Sequence, residues 1–413
     1  MTSPEIQPYY PDPKTGLVFK WLDRLWVIVM LILLAYTIQV VRSSRYCGYL
    51  GTDFRGYYAV AQITRQSGFT DLYSQQTQEQ YQAALAYRCP DGSYAPPLLW
   101  VAMPYLPVFV VIFIPLTYIE FTSAYYLWVA LNLAALLVYL RHFVSALGGR
   151  LSFIHLLQWA LCAPLFSNLV LGQMNVFLMV CLGEFVLASI RGRRYLSGIW
   201  LGDILVKPHI LILLLPGMLL HKNWKTLLGF TGSGLVILVL SLLLAGWDGV
   251  VSSIQLAAGF AGPLIQTGPA MMNFRALALN LQSVLPAWLA WTVALCGMGL
   301  VAGLTFYLWR RSSPATGLGF LILILATFAA TFTITWHSHF YLLLLLLPLL
   351  AALDSKEIIS PAWRWGWMAG PPLLYGLLYL ANPVQSRNWF GMGMLAVNLF
   401  LFTWGFRRLG GLR

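Results

Sequence analysis

Asp53 is the acidic residue of greatest chemical interest in this chain, because it follows the first long apolar run of a sequence that contains few acids. The 413 residues include only 13 Asp and Glu, and 59% of the chain is hydrophobic against 9% charged. A carboxylate placed where a hydrophobic segment ends and water begins can take a proton from a substrate hydroxyl. We therefore predict that Asp53 acts as a general base.

Lys207 is a cation in the middle of an apolar segment. It joins two stretches, 196–206 and 208–220, that are each too short to cross a membrane, since each covers roughly 16 to 20 Å of a hydrocarbon core about 30 Å thick. Broken backbone at that depth is tolerated where it lines a cavity, so Lys207 is a candidate to bind an anionic group. The alternative is an i,i+4 ion pair with Asp203 that neutralises both charges.

Histidines and amides mark the ends of other apolar runs. His337 and His339 follow Trp336, and either form part of an interfacial Trp-His belt or contact an anionic or polyol ligand. Gln173 and Asn175 either make interhelical hydrogen bonds or bind sugar hydroxyls.

Two tyrosines follow Asp53 within five residues. Tyr57 and Tyr58 are either interfacial aromatic residues or substrate-binding groups.

The composition indicates an all-α, polytopic membrane protein with about 11 to 12 membrane helices. Average soluble chains are roughly a quarter charged, whereas this chain repeats apolar runs of the length that spans a bilayer. The first run is retained as a helix and not cleaved as a signal, because Arg42 to Arg45, and no small-residue cleavage site, follow it. We predict one integral membrane domain over residues 1–413, localised to the cell membrane.

Short clusters of Lys and Arg lie between the apolar runs and predict orientation. Placing them inside puts both termini in the cytoplasm, with 1–21 as a cytoplasmic leader and 42–96 and 247–286 as exoplasmic loops that carry amphipathic helices. Since Asp53 and Asn175 then share one side, one of the segments 97–118, 122–140 and 151–171 must be short or re-entrant. We expect the site to face the exoplasm.

Cys47 and Cys89 flank the first predicted exoplasmic loop. An oxidising compartment permits a disulfide there, and we hypothesise that the two residues pair.

Several function classes lack support. The net charge of +12 is spread over short clusters and not gathered in one patch, so no nucleic-acid partner is predicted. Gly-rich phosphate loops, HExxH, GxSxG and CxxC are missing from the sequence, so ATP-driven chemistry and zinc hydrolysis are unsupported. We expect no metal and no cofactor.

Five short runs, in order and spacing, resemble glycosyltransferase family 87 over about residues 20 to 355. They are Gly51-Thr52-Asp53-Phe54-Arg55-Gly56-Tyr57-Tyr58-Ala59, Tyr94-Ala95-Pro96-Pro97-Leu98, Gly172-Gln173-Met174-Asn175, Leu205-Val206-Lys207-Pro208-His209 and Trp336-His337-Ser338-His339-Phe340.

The resemblance implies a GT-C fold and a metal-independent, inverting transfer of a sugar from a polyprenyl-phosphate donor to a lipid-linked or glycan acceptor, with mannose the favoured sugar. It assigns the base to Asp53, the membrane lysine to Lys207, and the late histidine to His337 or His339. Arg275, in a looser match, would join them at the donor phosphate.

The chemistry of the residues agrees with the resemblance. A polyprenyl phosphate leaves as an anion, so one base is enough and positive charge must stabilise the leaving group. The start of helix 208–220 would add its dipole. The alternatives are a secondary transporter or lipid flippase, which should show paired broken helices in two related halves, and a noncatalytic assembly factor.

Overall fold

The chain folds entirely as helices in the residues that the structure describes. The computed structural model describes residues 13–43, 50–85, 100–261, 268–312 and 317–410, and these contain 17 α-helices and no strand. The helices are α1 (Pro13–Ser43), α2 (Thr52–Ser67), α3 (Gln75–Ala84), α4 (Pro107–Val110), α5 (Phe121–Ala146), α6 (Phe153–Ala160), α7 (Ala163–Leu171), α8 (Asn175–Ile190), α9 (Arg194–Gly202), α10 (Leu214–Leu220), α11 (Trp224–Ala261), α12 (Phe274–Leu281), α13 (Ala287–Arg311), α14 (Gly317–Ile334), α15 (Leu347–Ser355), α16 (Pro361–Ala381) and α17 (Ser386–Gly410).

Helix α14 is the centre of the bundle. Every residue from Phe320 to Thr333 is buried, so the helix is apolar on all sides and surrounded by protein. The hydroxyls of Thr327 and Thr331 are satisfied by carbonyls one turn earlier in the same helix. These two hydroxyls are therefore paired within the helix itself.

Multi-pass character is confirmed by helix length and composition. In the described residues α5, α11, α13, α14 and α17 are long and apolar enough to cross a membrane, and α6 with α7 makes a sixth span if the bent pair is counted as one. Four further apolar helices are shorter, at 10 to 17 residues. The expected 11 to 12 membrane helices exceed this count because several apolar runs bend or end before they reach spanning length.

One of the segments 97–118, 122–140 and 151–171 was predicted to be short or re-entrant, and the structure breaks two of them. Residues Pro107–Tyr118 form an apolar helix too short to span, most of it a 3-10 helix that contains Pro115. Helices α6 and α7 meet at an angle of 59° just before Pro164. Proline removes a backbone donor and clashes with the preceding turn, which explains a break at each place.

The break at Lys207 is confirmed. A 3-10 turn, Asp203–Val206, follows α9, and Lys207 itself is non-helical with φ −133° and ψ 69°. The segment after it differs from the expectation of one helix from 208 to 220, because Pro208–Leu211 is another 3-10 turn and α10 begins only at Leu214. The predicted α-helical dipole is thus displaced from Lys207.

Helices α2 and α3 lie in the predicted first loop, but α2 does not rest on the surface as an amphipathic helix. Ten of its residues are buried, and Phe54 and Tyr57 are among the largest fully buried side chains. The helix packs against the 3-10 segment Val111–Tyr118 and against α3, α4, α5 and α7. Asp53 is thereby held by the protein core.

Helix α11 extends into the predicted exoplasmic loop 247–286. Gly246 adopts φ 67° and ψ −176°, so the helix is kinked there and then continues to Ala261. Only glycine adopts such a conformation readily. The predicted second loop therefore starts as helix.

A cluster of buried charges joins α1, α6, α15 and α16. Arg364 donates to both oxygens of Asp354 at 2.8 and 2.7 Å, and its Nη2 lies 3.6 Å from Asp23. Trp365 and Trp159 donate to Asp23 and Asp354 respectively. This cluster ties the first helix to the bundle.

Candidate functional site

Asp53 occupies the first turn of α2, where the start of this helix meets the end of α7. Gly51, with φ 65°, donates its amide to the carbonyl of Val170 at 2.7 Å. A residue with a side chain rarely adopts that conformation. The main chain therefore fixes the position of Asp53 at the start of α2.

The turn after α7 brings Gln173 to Asp53. Gly172 ends α7 with φ 72°, and a Cβ added to it would lie 2.4 Å from Cβ of Phe54. Its carbonyl accepts from Trp128 Nε1 at 3.0 Å. Gln173 Nε2 then donates to Asp53 Oδ2 at 2.6 Å.

Lys207 lies on the other side of Gln173. Its Nζ donates to Gln173 Oε1 at 2.8 Å and to Asn175 Oδ1 at 2.9 Å, and the ammonium lies 5.3 Å from the centre of the Tyr341 ring. Asn175 is held in turn by its Nδ2, which donates to Asn168 Oδ1 at 3.0 Å.

The alternative pairing of Lys207 with Asp203 is not present. The described residues contain four ion pairs, and none joins Asp203 to Lys207. The i,i+4 neighbour rule requires a continuous α-helix, whereas 3-10 geometry and the extended Lys207 separate these residues.

The two tyrosines of α2 point to different places. Tyr57 OH donates to Gln173 Oε1 at 3.2 Å and lies 3.4 Å from Tyr105 OH. Tyr58 OH donates to the carbonyl of Ile119 at 2.8 Å. Of the pair, only Tyr57 joins the polar network of Asp53.

A cluster of imidazoles lies beyond Lys207. The His337 and His339 rings are 4.6 Å apart, and the His339 ring is 5.4 Å from Tyr341, the neighbour of Lys207. The His209 ring, two residues after Lys207, is 6.3 Å from His337. Both predicted histidines therefore belong to one cluster with a third.

Arg275 lies beside the same loop. Asn273 caps α12 and donates to the carbonyl of Thr335 at 2.9 Å, so the start of α12 is attached to the end of α14. The Arg275 guanidinium sits 4.4 Å from the centre of the Trp336 ring and is 4% exposed. This placement puts its charge next to His337.

The residues of the site differ in exposure. Gln173 and Lys207 are buried and Asn175 is fully so, whereas Asp53 and the three histidines are partly exposed. Protein packs closely around Asp53, although part of its surface remains exposed.

Burial dominates the electrostatics. It raises the pKa of Asp53 above the ordinary 3.8, although the hydrogen bond from Gln173 and the charges of Lys207 and Arg55 oppose this shift. Burial also raises the pKa of Tyr57 well above 10 and that of Tyr105 to about 12, so both remain protonated donors.

The pKa values of His337 and His339 shift in the opposite direction. Burial, followed by the charges of Lys207 and Arg275, lowers the pKa of His337 to about 4. The pKa of His339 also falls well below 6.5, with burial again the main cause. Both imidazoles are thus neutral at pH 7 in the free protein.

The structure brings most of the predicted site residues together and leaves a few apart. Asp53, Tyr57, Gln173, Asn175 and Lys207 form one hydrogen-bonded network, and His337, His339 and Arg275 adjoin it. Tyr58 is turned away. The hypothesised Cys47–Cys89 disulfide and the run from Tyr94 to Leu98 fall outside the described residues.

Sequence reasoning missed several members of the site. Arg55 is 3% exposed, with Nε and Nη2 lacking a hydrogen-bond partner, and burial lowers its pKa to about 10. Tyr105, Tyr341 and His209 are the others. Arg55 and His209 lie inside the quoted runs, Tyr341 directly follows one, and Tyr105 lies seven residues after Leu98. A lone Arg two residues after Asp53 was the available signal for Arg55.

One open cavity, of about 440 Å³, lies elsewhere. It is lined by residues 192–196 and Lys225, at the starts of α9 and α11. None of the predicted site residues lines it. The Asp53 site is therefore defined by its polar contacts.

Comparison with known families decides the identity of the chain. Residues 104–335 match the model of glycosyltransferase family 87, which is more than half of the 413 residues. The chain belongs to glycosyltransferase family 87. No curated protein and no solved structure matches it.

The family 87 match includes part of the site. Gln173, Asn175, Lys207 and Arg275 fall inside the matched region, whereas Asp53 precedes it and His337 and His339 follow it. The match is narrower than the resemblance over about 20 to 355. Membership, together with the apolar helices, makes this chain a multi-pass membrane glycosyltransferase.

Proposed function

We propose that this family 87 enzyme moves a sugar, with mannose as the favoured one, from a polyprenyl-phosphate donor to a hydroxyl of a lipid-linked or glycan acceptor. The reaction is inverting, needs no metal and takes place at the exoplasmic face. The observation that supports this proposal most directly is the chain of contacts from Asp53 through Gln173 to Lys207, which places a base and a cation on opposite sides of one amide.

Asp53 is the base in this proposal. As the acceptor oxygen bonds to the anomeric carbon, its proton passes to the Asp53 carboxylate, an effect typically worth 10²–10⁴-fold in rate. The bond from the anomeric carbon to the phosphate oxygen breaks, and its electron pair leaves with the polyprenyl phosphate. Attack from the face opposite the phosphate inverts the configuration.

The cations stabilise the leaving group. Lys207 and Arg275 are both nearly buried, and charge acts more strongly in such surroundings than in water. His337 and His339 add hydrogen-bond donors beside them. A preorganised set of donors directed at the charge that develops on phosphate lowers the barrier without further reorganisation.

Gln173 orients the base in this scheme. Both ends of its amide are engaged by protein groups, since Nε2 donates to Asp53 and Oε1 accepts from Lys207 and Tyr57. A sugar hydroxyl would have to displace one of these partners. Asn175, held between Asn168 and Lys207, supports Lys207 in the same way.

The proposal is tested with purified protein in a membrane-like environment and a panel of donors. The panel contains polyprenyl phosphates that carry mannose, glucose or arabinofuranose, together with the matching nucleotide sugars. We expect one polyprenyl-phosphate sugar to be consumed, with release of the polyprenyl phosphate and a glycosylated acceptor. Transfer from a nucleotide sugar alone would refute the proposed donor class.

A further inference from the structure

Three imidazoles from two distant parts of the chain share one small region. His209 follows the break at Lys207, while His337 and His339 lie between α14 and the 3-10 helix Phe340–Leu346. The His337 ring is packed edge-to-face against both others, at 6.3 Å from His209 and 4.6 Å from His339. His209 is not among the residues that the sequence predicted for the site.

Two nitrogens of this cluster are buried and have no hydrogen-bond partner. They are His209 Nε2 and His337 Nδ1, and the neighbouring Ser338 Oγ has none either. Buried polar atoms in native proteins are nearly always paired. Several such atoms on adjoining side chains are therefore available to a polar group that a ligand brings.

The charges around the rings favour an anion. The groups that act electrostatically on the three imidazoles are Lys207, Arg275, Arg387 and the rings themselves, and no carboxylate of the described residues is among them. Three adjacent imidazoles beside these cations repel one another when protonated, so the free cluster is neutral.

We propose that His209 and His337 together bind the phosphate group of the polyprenyl phosphate, and that one of the two imidazoles takes up a proton from solvent when the phosphate monoester is bound. This inference rests on the proposed function for the identity of the ligand. It adds His209 to the site and distinguishes the product from the donor.

The distinction follows from the charge on phosphorus. The donor is a phosphodiester with one negative charge, whereas the released monoester loses a second proton with a pKa near 6. A nearby anion favours the charged form of an imidazole, so the second charge, which appears only when the sugar leaves, raises the proton affinity of the pair. The product is held most tightly in the protonated site, and its release is favoured at higher pH.

The test measures binding of a short-chain polyprenyl phosphate that carries no sugar, with no acceptor present. Calorimetry at pH 7, where the free phosphate is mostly a dianion, is repeated in two buffers of different ionisation enthalpy, and the difference gives the protons taken up. We expect the wild type to take up a measurable fraction of a proton. His209→Gln retains polarity but cannot take up the proton, so affinity should fall at least about tenfold, as for loss of a charged hydrogen bond, with less proton uptake.

His142→Gln is the matched control, because His142 is half exposed and pairs with Glu184 outside the cluster. It should bind like the wild type, and thermal unfolding confirms that both variants are folded. Wild-type affinity and proton uptake in His209→Gln would overturn the inference. If the enzyme uses a donor other than a polyprenyl-phosphate sugar while phosphate binding still depends on His209, the proposed function fails and the anion site stands. If the enzyme uses a polyprenyl-phosphate sugar but phosphate binding does not depend on His209, the proposed function stands and this inference fails.

Discussion

Asp53 and Lys207 do not form an ion pair, because the amide of Gln173 lies between them. The amide nitrogen donates to the carboxylate at 2.6 Å and the amide oxygen accepts from the ammonium at 2.8 Å. The reverse orientation would direct the amide N–H groups at Lys207 and the oxygen at Asp53, so both contacts would be repulsive. The carboxylate and the ammonium therefore remain separate charges in fixed positions.

Gln173→Glu should slow sugar transfer by roughly 10- to 100-fold, since a displacement of about 1 Å at a reacting group can cost ~10²-fold. Lys207 keeps an acceptor in this variant, but Asp53 loses its donor and gains a like charge, which raises its pKa further. The acid limb of the pH–rate profile should therefore move to higher pH.

The control for this variant is Gln66→Glu, which adds the same charge at an exposed position of α2. It should leave both the rate and the profile unchanged. A slower Gln173→Glu enzyme with an unmoved acid limb would show that Gln173 is structural and does not orient the base.

Asp53→Asn should fold and bind the lipid donor with near-normal affinity but transfer sugar at least ~100-fold more slowly. Asparagine keeps the size and still accepts from Gln173, yet it cannot take the proton of the acceptor. The measurement is single-turnover transfer with purified protein and a confirmed donor. Asp248→Asn, at an exposed acid, is the control, and substantial transfer by Asp53→Asn would place the base elsewhere.

The pH dependence of kcat/KM should show an acid limb above the range of an ordinary aspartate. Burial raises the pKa of Asp53, and only the ionised carboxylate accepts a proton, so activity is lost as pH falls through this raised pKa. Because the pKa of His337 lies at about 4, His337→Gln is measured alongside the wild type. The acid limb of kcat/KM should persist in His337→Gln. Loss of the acid limb in this variant would assign the titration to His337.

The double variant Asp203→Asn/Lys207→Met should transfer sugar roughly 10²-fold more slowly, as when a preorganised donor is removed from a site of developing charge. Lys207 donates to Gln173 and Asn175 and has no ion pair with Asp203, so removing both charges together does not restore the site. Lys207→Arg should retain part of the activity. Transfer by the double variant at the wild-type rate would exclude Lys207 from the mechanism.

Arg364→Met should lower the free energy of unfolding by about 3–5 kcal/mol, since it leaves buried carboxylates without their cation. Asp354 and Asp23 both face Arg364. Removing the main partner as well, in Asp354→Asn/Arg364→Met, should recover much of the loss. Unfolding by dodecyl sulfate titration in mixed micelles measures both, and equal stability of the single and double variants would contradict the pairing.

The fold could be predicted from composition and proline positions to a large extent. Apolar runs identify a helical membrane protein, and the short helices on either side of Lys207-Pro208 predict the break that the structure contains. Segment 151–171, which bends by 59° between α6 and α7, was among the candidates for a break. Hydropathy does not report where an apolar run bends, so the kink at Gly246 was not predicted.

The site could be predicted only as separate pieces. Asp53 and Lys207 stand out because charge is scarce in apolar sequence. The role of Gln173 between them depends on the meeting of α2 and α7, which are separated by about a hundred residues, and periodicity holds no information on such contacts. Tyr58 shows the converse, because its place next to Tyr57 in the sequence says nothing of its orientation toward Ile119.

The contact between Gly172 and Phe54 has a consequence for altering the sugar choice of this enzyme. The two main chains meet so closely that a single methyl group at Gly172 would have to push Phe54, and with it the neighbouring Asp53, out of place. Diversification by directed evolution should therefore tolerate almost nothing at this junction. Libraries that aim at a new donor or acceptor are better directed at the partly open polar surfaces, while the junction is kept invariant as the part that all variants share.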